Sequence, residues 1–152
     1  MITPSVGSHM GVLSAALDSL GDGSLVIEHG AGLYSSVLIR DSGHRAICIE
    51  RDKDWAAWAA WLYGAQGEVV ERAKRAMSRL VDASLVFVDG AMNERGDLLR
   101  WAIEARVPTI IAHDTEDDSR KQYGYVSGLF SAPGYQVTSE GKRPQTTVWR
   151  LR

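Results

Sequence analysis

Short, almost wholly apolar runs alternate with longer amphipathic stretches along the chain. Residues 24–28 (SLVIE), 44–50 (HRAICIE), 84–89 (SLVFVD) and 107–112 (VPTIIA) have the apolar character of strands buried on both faces. Between them, residues 10–20 repeat Leu13, Ala16, Leu17 and Leu20 at helical spacing. Ser8 is a suitable cap for this helix, and Gly21-Asp22-Gly23 ends it. Further helices are predicted over 34–40, from a cap at Asp52 or Asp54 through about Tyr63, and over 94–105. Trp55, Trp58 and Leu62 would share one face of the third helix and pack on the sheet. Residues 67–71 suit a strand, while 68–80 equally suit one continuous helix; the pattern leaves both open. Strand and helix alternate four or five times, which implies parallel strands joined by crossovers.

The last third differs. Residues 114–134 are polar and weakly periodic, and residues 135–139 and 146–151 read as two strands joined across 140–144 as a hairpin. One domain over 1–152 follows. It has an N-terminal helix (1–22), a βα core (23–112), a loop or lid (113–134) containing Tyr123 and Tyr125, and a C-terminal hairpin (135–152).

With 45% hydrophobic and 24% charged residues, the chain has ordinary globular composition. No apolar run approaches the roughly 20 residues that span a bilayer. The N-terminus lacks the pattern of a secretory signal, so a cytoplasmic setting and no membrane partner are expected. Residues 7–10 (GSHM) resemble a purification-tag scar; with Met1-Ile2-Thr3-Pro4 ahead of them, they are read as native. A formal charge of −2 and a pI near 6.1 argue against a nucleic-acid partner. Cys48 is the single cysteine, which rules out an internal disulfide, and its apolar neighbours Ile47 and Ile49 suit buried packing.

Chemistry concentrates at Glu28-His29-Gly30-Ala31-Gly32, which closes a strand and opens a helix. Glycines let the backbone approach a ligand, and amides at a helix start face it. Glu50 ends the next strand 22 residues after Glu28, where a carboxylate can accept both hydroxyls of a ribose. Asp89 ends a later strand. Strand-end acids can also simply cap the helices that follow them.

The segment resembles motif I of the class I S-adenosylmethionine-dependent methyltransferases, with Glu50 similar to their ribose-binding acid. Val86-Phe87-Val88-Asp89-Gly90 resembles motif IV, residues 109–114 resemble the strand after it, and the hairpin suits the family's last strands. The resemblance implies a doubly wound, Rossmann-like α/β sheet of order 3-2-1-4-5-7-6, mostly parallel with an antiparallel last strand. It implies S-adenosylmethionine as cofactor, held by Glu28, His29, Gly30, Gly32, Glu50 and Asp89, with Trp55 stacking on adenine. The family often has a further glycine where Tyr34 stands, and this chain is short for the family. A homo-oligomer or a partner could therefore complete the acceptor site.

Asp89-Gly90-Ala91-Met92 lacks the two prolines and aromatic residue of the family's DNA-amine enzymes, and Cys48 lies on the wrong strand for attack on cytosine. Transfer to a hydroxyl of a small molecule or sugar is the expectation. The alternative is a non-catalytic subunit that binds S-adenosylmethionine or a nucleotide alongside a partner. Catechol-type members suggest Asp89 and Asp114 as ligands of Mg²⁺, a hard cation that suits oxygen donors, although Thr115 stands where those enzymes place a stronger ligand. Without a metal, His113 or Asp89 would remove the acceptor's proton, with Asp114 beside them.

Overall fold

The computed structural model describes residues 9–116, 127–141 and 144–152. Its strands are β1 (Leu25–His29), β2 (Arg45–Ile49), β3 (Gly67–Val70), β4 (Ala83–Val88), β5 (Thr109–His113), β6 (Tyr135–Glu140) and β7 (Thr146–Leu151). They form one seven-stranded sheet of order 3-2-1-4-5-7-6. The first five strands are mutually parallel, while β7 runs antiparallel to β5 and β6. The helices are α1 (Met10–Asp18), α2 (Ser35–Asp41), α3 (Lys53–Tyr63), α4 (Ala73–Ala76) and α5 (Met92–Glu104). No helix among the described residues is long and apolar enough to cross a membrane.

Because side chains alternate across a strand, each central strand feeds two cores. Leu25, Ile27, Ile47, Val86, Val88 and Ile110 point to the side covered by α4 and α5, where Leu98, Leu99 and Ala102 meet them. Val26, Cys48, Leu85, Phe87 and Ile111 point to the other side, against Leu13 and Leu17 of α1, Ile39 of α2, and Ala59 and Tyr63 of α3. Glu28 shares the parity of Val26 and so points toward α2 and α3.

Residues 67–80 divide rather than forming one helix: β3 is followed by α4 and a 3-10 turn at Met77–Asp82. Ladder bonds to β2 and the burial of Ala73, Ala76 and Leu80 outweigh helical continuity. In α3 the packing face also departs from expectation. Ala59 and Tyr63 are buried, Trp58 is half-buried, Trp55 is 38% exposed and Trp61 76% exposed. Ala59 and Tyr63 face the sheet, Trp58 packs at the margin of the same core, and Trp55 and Trp61 turn outward. The cap is Asp52, whose carboxylate accepts from the backbone N–H groups of Asp54 and Trp55. Ser8, Tyr123 and Tyr125, and with them the cap and much of the lid expected there, lie outside the described residues.

Candidate functional site

The turns after β1 and β4 press together at the carboxyl edge of the sheet. Gly30 has φ +89°, and a Cβ there would lie 2.6 Å from the Cα of Gly90. A Cβ on Gly90 would meet Gly30 N and His29 Cδ2, each at 2.8 Å. Both positions therefore need glycine. Gly32 is less constrained, its hypothetical Cβ meeting Ser35 Oγ at 3.1 Å. The ring of the buried His29 clamps the junction, its Nδ1 accepting from Gly90 N–H at 3.2 Å. Burial, reinforced by the charge of Arg95, pushes its pKa down to about 4, so the ring is neutral.

Beneath this junction Glu28 is fully buried. Its carboxylate accepts from Ser35 Oγ (2.6 Å), Ser36 Oγ (2.8 Å) and Tyr63 Oη (2.7 Å). Burial pushes its pKa up to about 7 despite these donors, which favour the charged form. Glu28 thus ties the glycine turn and the start of α2 to the end of α3, and its oxygens face protein rather than the cleft.

Glu50 lies differently. Its Oε2 accepts from Ala31 N–H at 2.9 Å and its Oε1 from Asp52 N–H at 2.8 Å. A carboxylate offers roughly four acceptor positions, so about one remains on each oxygen. Glu50 borders a cleft of about 390 Å³ with Arg51, Ala56, Val69, Val70 and Glu71. Trp55 is not among the lining residues; its ring packs edge-on against Trp58 at 5.4 Å.

On the far side of the junction, Asp89 and the end of β5 meet. His113 Nδ1 lies 3.2 Å from Asp89 Oδ1 and 3.5 Å from Asp114 Oδ1. Burial alone would lower the His113 pKa, but the hydrogen bond and charge of Asp89, aided by Asp114, hold it above its ordinary value. Asp114 adopts φ +53°, a conformation that Asp tolerates better than most residues. Between the two carboxylates stands Arg95. Its Nη2 is 3.3 Å from Asp89 Oδ1 and its Nη1 3.3 Å from Asp114 Oδ2, while its Nε donates to Gly90 O at 2.9 Å.

The pair Asp89 and Asp114 does not fit the expected Mg²⁺ site. The Arg95 guanidinium stands between the two carboxylates, 3.3 Å from each, where a cation bridging them would have to sit. Thr115 is fully buried and turns into the hairpin, its Oγ1 2.6 Å from Thr147 Oγ1. The second position therefore lacks the oxygen ligand a hard cation would need.

No protein-family model and no curated sequence matches the chain. Solved structures do. Cofactor-bound Rv0187 from MTB aligns over 100% of this chain and 82% of its own, at 17% identity and TM-score 0.72. A candidate O-methyltransferase from Klebsiella pneumoniae aligns over the same shares at 16% identity and TM-score 0.70. The SAH-bound methyltransferase PaMTH1 of Podospora anserina aligns over 95% of this chain and 78% of its own, at 14% identity and TM-score 0.67. The chain has the class I methyltransferase fold. At these identities the likeness is one of fold, and the chemistry must come from the residues present.

Set on the methyltransferase fold, the expected residues separate by burial. Gly30, Glu50, Asp89, His113 and Asp114 gather along the carboxyl edge, whereas Glu28 and His29 lie beneath it and Trp55 outside the cleft. Two further side chains at this edge carry no obvious signal in the sequence. Arg95 sits in a polar stretch, Asn93-Glu94-Arg95-Gly96-Asp97; yet it precedes Leu98, Leu99 and Ala102 by three, four and seven residues, which places it on the buried stripe of α5. His9 is 93% buried, its ring centroid 4.6 Å from that of His113 and 5.2 Å from that of Phe87. No local pattern signals that contact, because α1 reaches the end of β5 only in the folded chain.

Proposed function

We propose that the protein transfers the methyl group of S-adenosylmethionine to a hydroxyl of a small molecule or sugar. The observation that carries this reading is Glu50, a carboxylate with one acceptor position left on each oxygen, beside a cleft and next to the tight Gly30 turn. Glu50 would take the two ribose hydroxyls. The turn around Gly30 and Gly32 would let the backbone approach the methionine end, with Glu28 and His29 acting through that turn. The bound cofactor supplies an electrophilic methyl on a sulfonium.

At the acceptor side, His113 would take the hydroxyl proton, since Asp89 both orients its ring and stabilises the imidazolium that forms. Arg95 would hold Asp89 and Asp114 in place. The remainder of the rate would come from aligning the two reactants. Cys48 is buried against Glu28 and its thiol pKa is pushed up, which removes it as a nucleophile.

Calorimetric titration with S-adenosylmethionine and S-adenosylhomocysteine tests the cofactor. Binding of neither up to about millimolar concentration would overturn the proposal. With a labelled methyl donor and a panel of hydroxylated acceptors, His113→Ala and Asp89→Asn should each lower kcat about 10²-fold or more. Cofactor affinity should stay near that of the parent. Label appearing on amines but on no hydroxyl would refute the choice of acceptor.

A further inference from the structure

The cluster at the ends of α1, β4 and β5 contains more than a base. One ring nitrogen each of His9 and His113 and a carboxylate oxygen of Asp89 lie within 4.8 Å of one another. All three residues are buried or half-buried, and they come from three separate segments. The His113–Asp89 pair stands 3.2 Å apart. Ligand atoms about 2.0–2.1 Å from a tetrahedral zinc ion are themselves about 3.3 Å apart, so one edge of such a site is already formed. The two edges that involve His9 are no longer than 4.8 Å.

The ring of His9 is the independent pointer. It is 93% buried, and among the described residues its Nδ1 has no hydrogen-bond partner. Buried polar atoms normally have partners, so an orphaned one calls for an explanation.

We propose that His9, Asp89 and His113 form a binding site for one borderline divalent cation of the zinc class. Two imidazoles and a carboxylate suit zinc or its transition-metal neighbours, not Mg²⁺ or Ca²⁺. Three protein ligands leave a fourth position for water or an oxygen ligand. Arg95 opposes a cation here, being 3.3 Å from Asp89, but Asp114 shares its charge at the same distance. Two carboxylates against one guanidinium leave the cluster net negative. A cation bound to His113 would also remove it as the proposed base, so zinc loading and methyl transfer would exclude one another.

The test needs no cofactor, so it stands or falls separately from the methyl-transfer reading. Chelator-treated protein is titrated with Zn²⁺ by calorimetry at neutral pH, and Co²⁺ serves as a spectroscopic probe. The expected result is one saturable Zn²⁺ per chain and visible d–d bands from bound Co²⁺. His9→Phe keeps a ring against Phe87 and His113 but removes both nitrogens. It should weaken Zn²⁺ binding at least about tenfold and leave the far-ultraviolet circular dichroism unchanged. His113→Gln should weaken binding by at least as much, which keeps the proposal testable if the Phe variant folds poorly. Absence of saturable Zn²⁺ binding, equal affinity in His9→Phe, or preference for Mg²⁺ over Zn²⁺ would each overturn the assignment.

Discussion

Replacing Glu28 by Gln should change how stability depends on pH, by an amount set by the carboxyl's burial. Its pKa rises from 4.5 to about 7 in the fold, first because burial disfavours the charged form. At about 1.4 kcal/mol per pH unit, this is worth about 3 kcal/mol. A raised pKa means that the folded state binds the proton more tightly than the unfolded chain. That contribution is complete below pH 4.5 and is lost as pH rises through 7. His29 works in the opposite sense. Burial takes its pKa from 6.5 to about 4, so its contribution is complete above pH 6.5 and lost as pH falls through 4. The two roughly cancel in the parent protein, whose own profile is therefore uninformative. The difference between parent and Glu28→Gln isolates the carboxyl, since the amide fills the same space and does not titrate. Urea unfolding at about pH 4.5, 6 and 8 should show the parent losing about 3 kcal/mol relative to the variant across that range. A constant difference at all three values would refute the reasoning and mean that the carboxyl ionises in the fold as it does in water.

Gly30→Ala should destabilise by at least about 2 kcal/mol in thermal unfolding, since its positive φ alone costs about 1–2 kcal/mol and the Gly90 contact adds to it, whereas Gly32→Ala should stay within about 1 kcal/mol. Arg95→Met would leave two carboxylates facing each other without a cation. Breaking a buried pair costs roughly 3–5 kcal/mol, reduced here to about 2–3 because Asp89 and Asp114 are 27% and 31% exposed, and chemical denaturation should read it. Glu50→Ala should lower S-adenosylmethionine affinity about 100-fold or more by calorimetry, as two charge-assisted bonds are each worth about 1.5–3 kcal/mol; unchanged affinity would reduce Glu50 to a turn residue.

Most of the fold was legible because strands buried on both faces leave continuous apolar runs, as in residues 24–28 and 84–89, and crossovers leave helical periodicity between them. Edge strand β3 was ambiguous because Glu68 is exposed and its neighbours only half-buried, so its pattern resembles that of a helix. The Trp-bearing helix misled for a different reason. Spacing put Trp55, Trp58 and Leu62 on one face, and Trp58 does pack against the core, but the sheet takes Ala59 and Tyr63 at close range and leaves Trp55 38% exposed.

The sequence by itself determined the order of elements, the glycine turn and the acids that end β1, β2 and β4. Each of these rests on interactions between residues near in the chain, where spacing alone carries the information. Tertiary structure decided which acids face the cleft and which face protein. Glu28 and Glu50 both close strands, yet Glu28 meets Tyr63 from a helix 35 residues later, while Glu50 meets the Ala31 amide and keeps acceptor positions open. Tertiary structure also placed Arg95 between Asp89 and Asp114, and His9 against His113. Those encounters join residues 6, 19 and 104 apart in the chain, and a contact between single polar side chains imposes no periodicity on the residues around it.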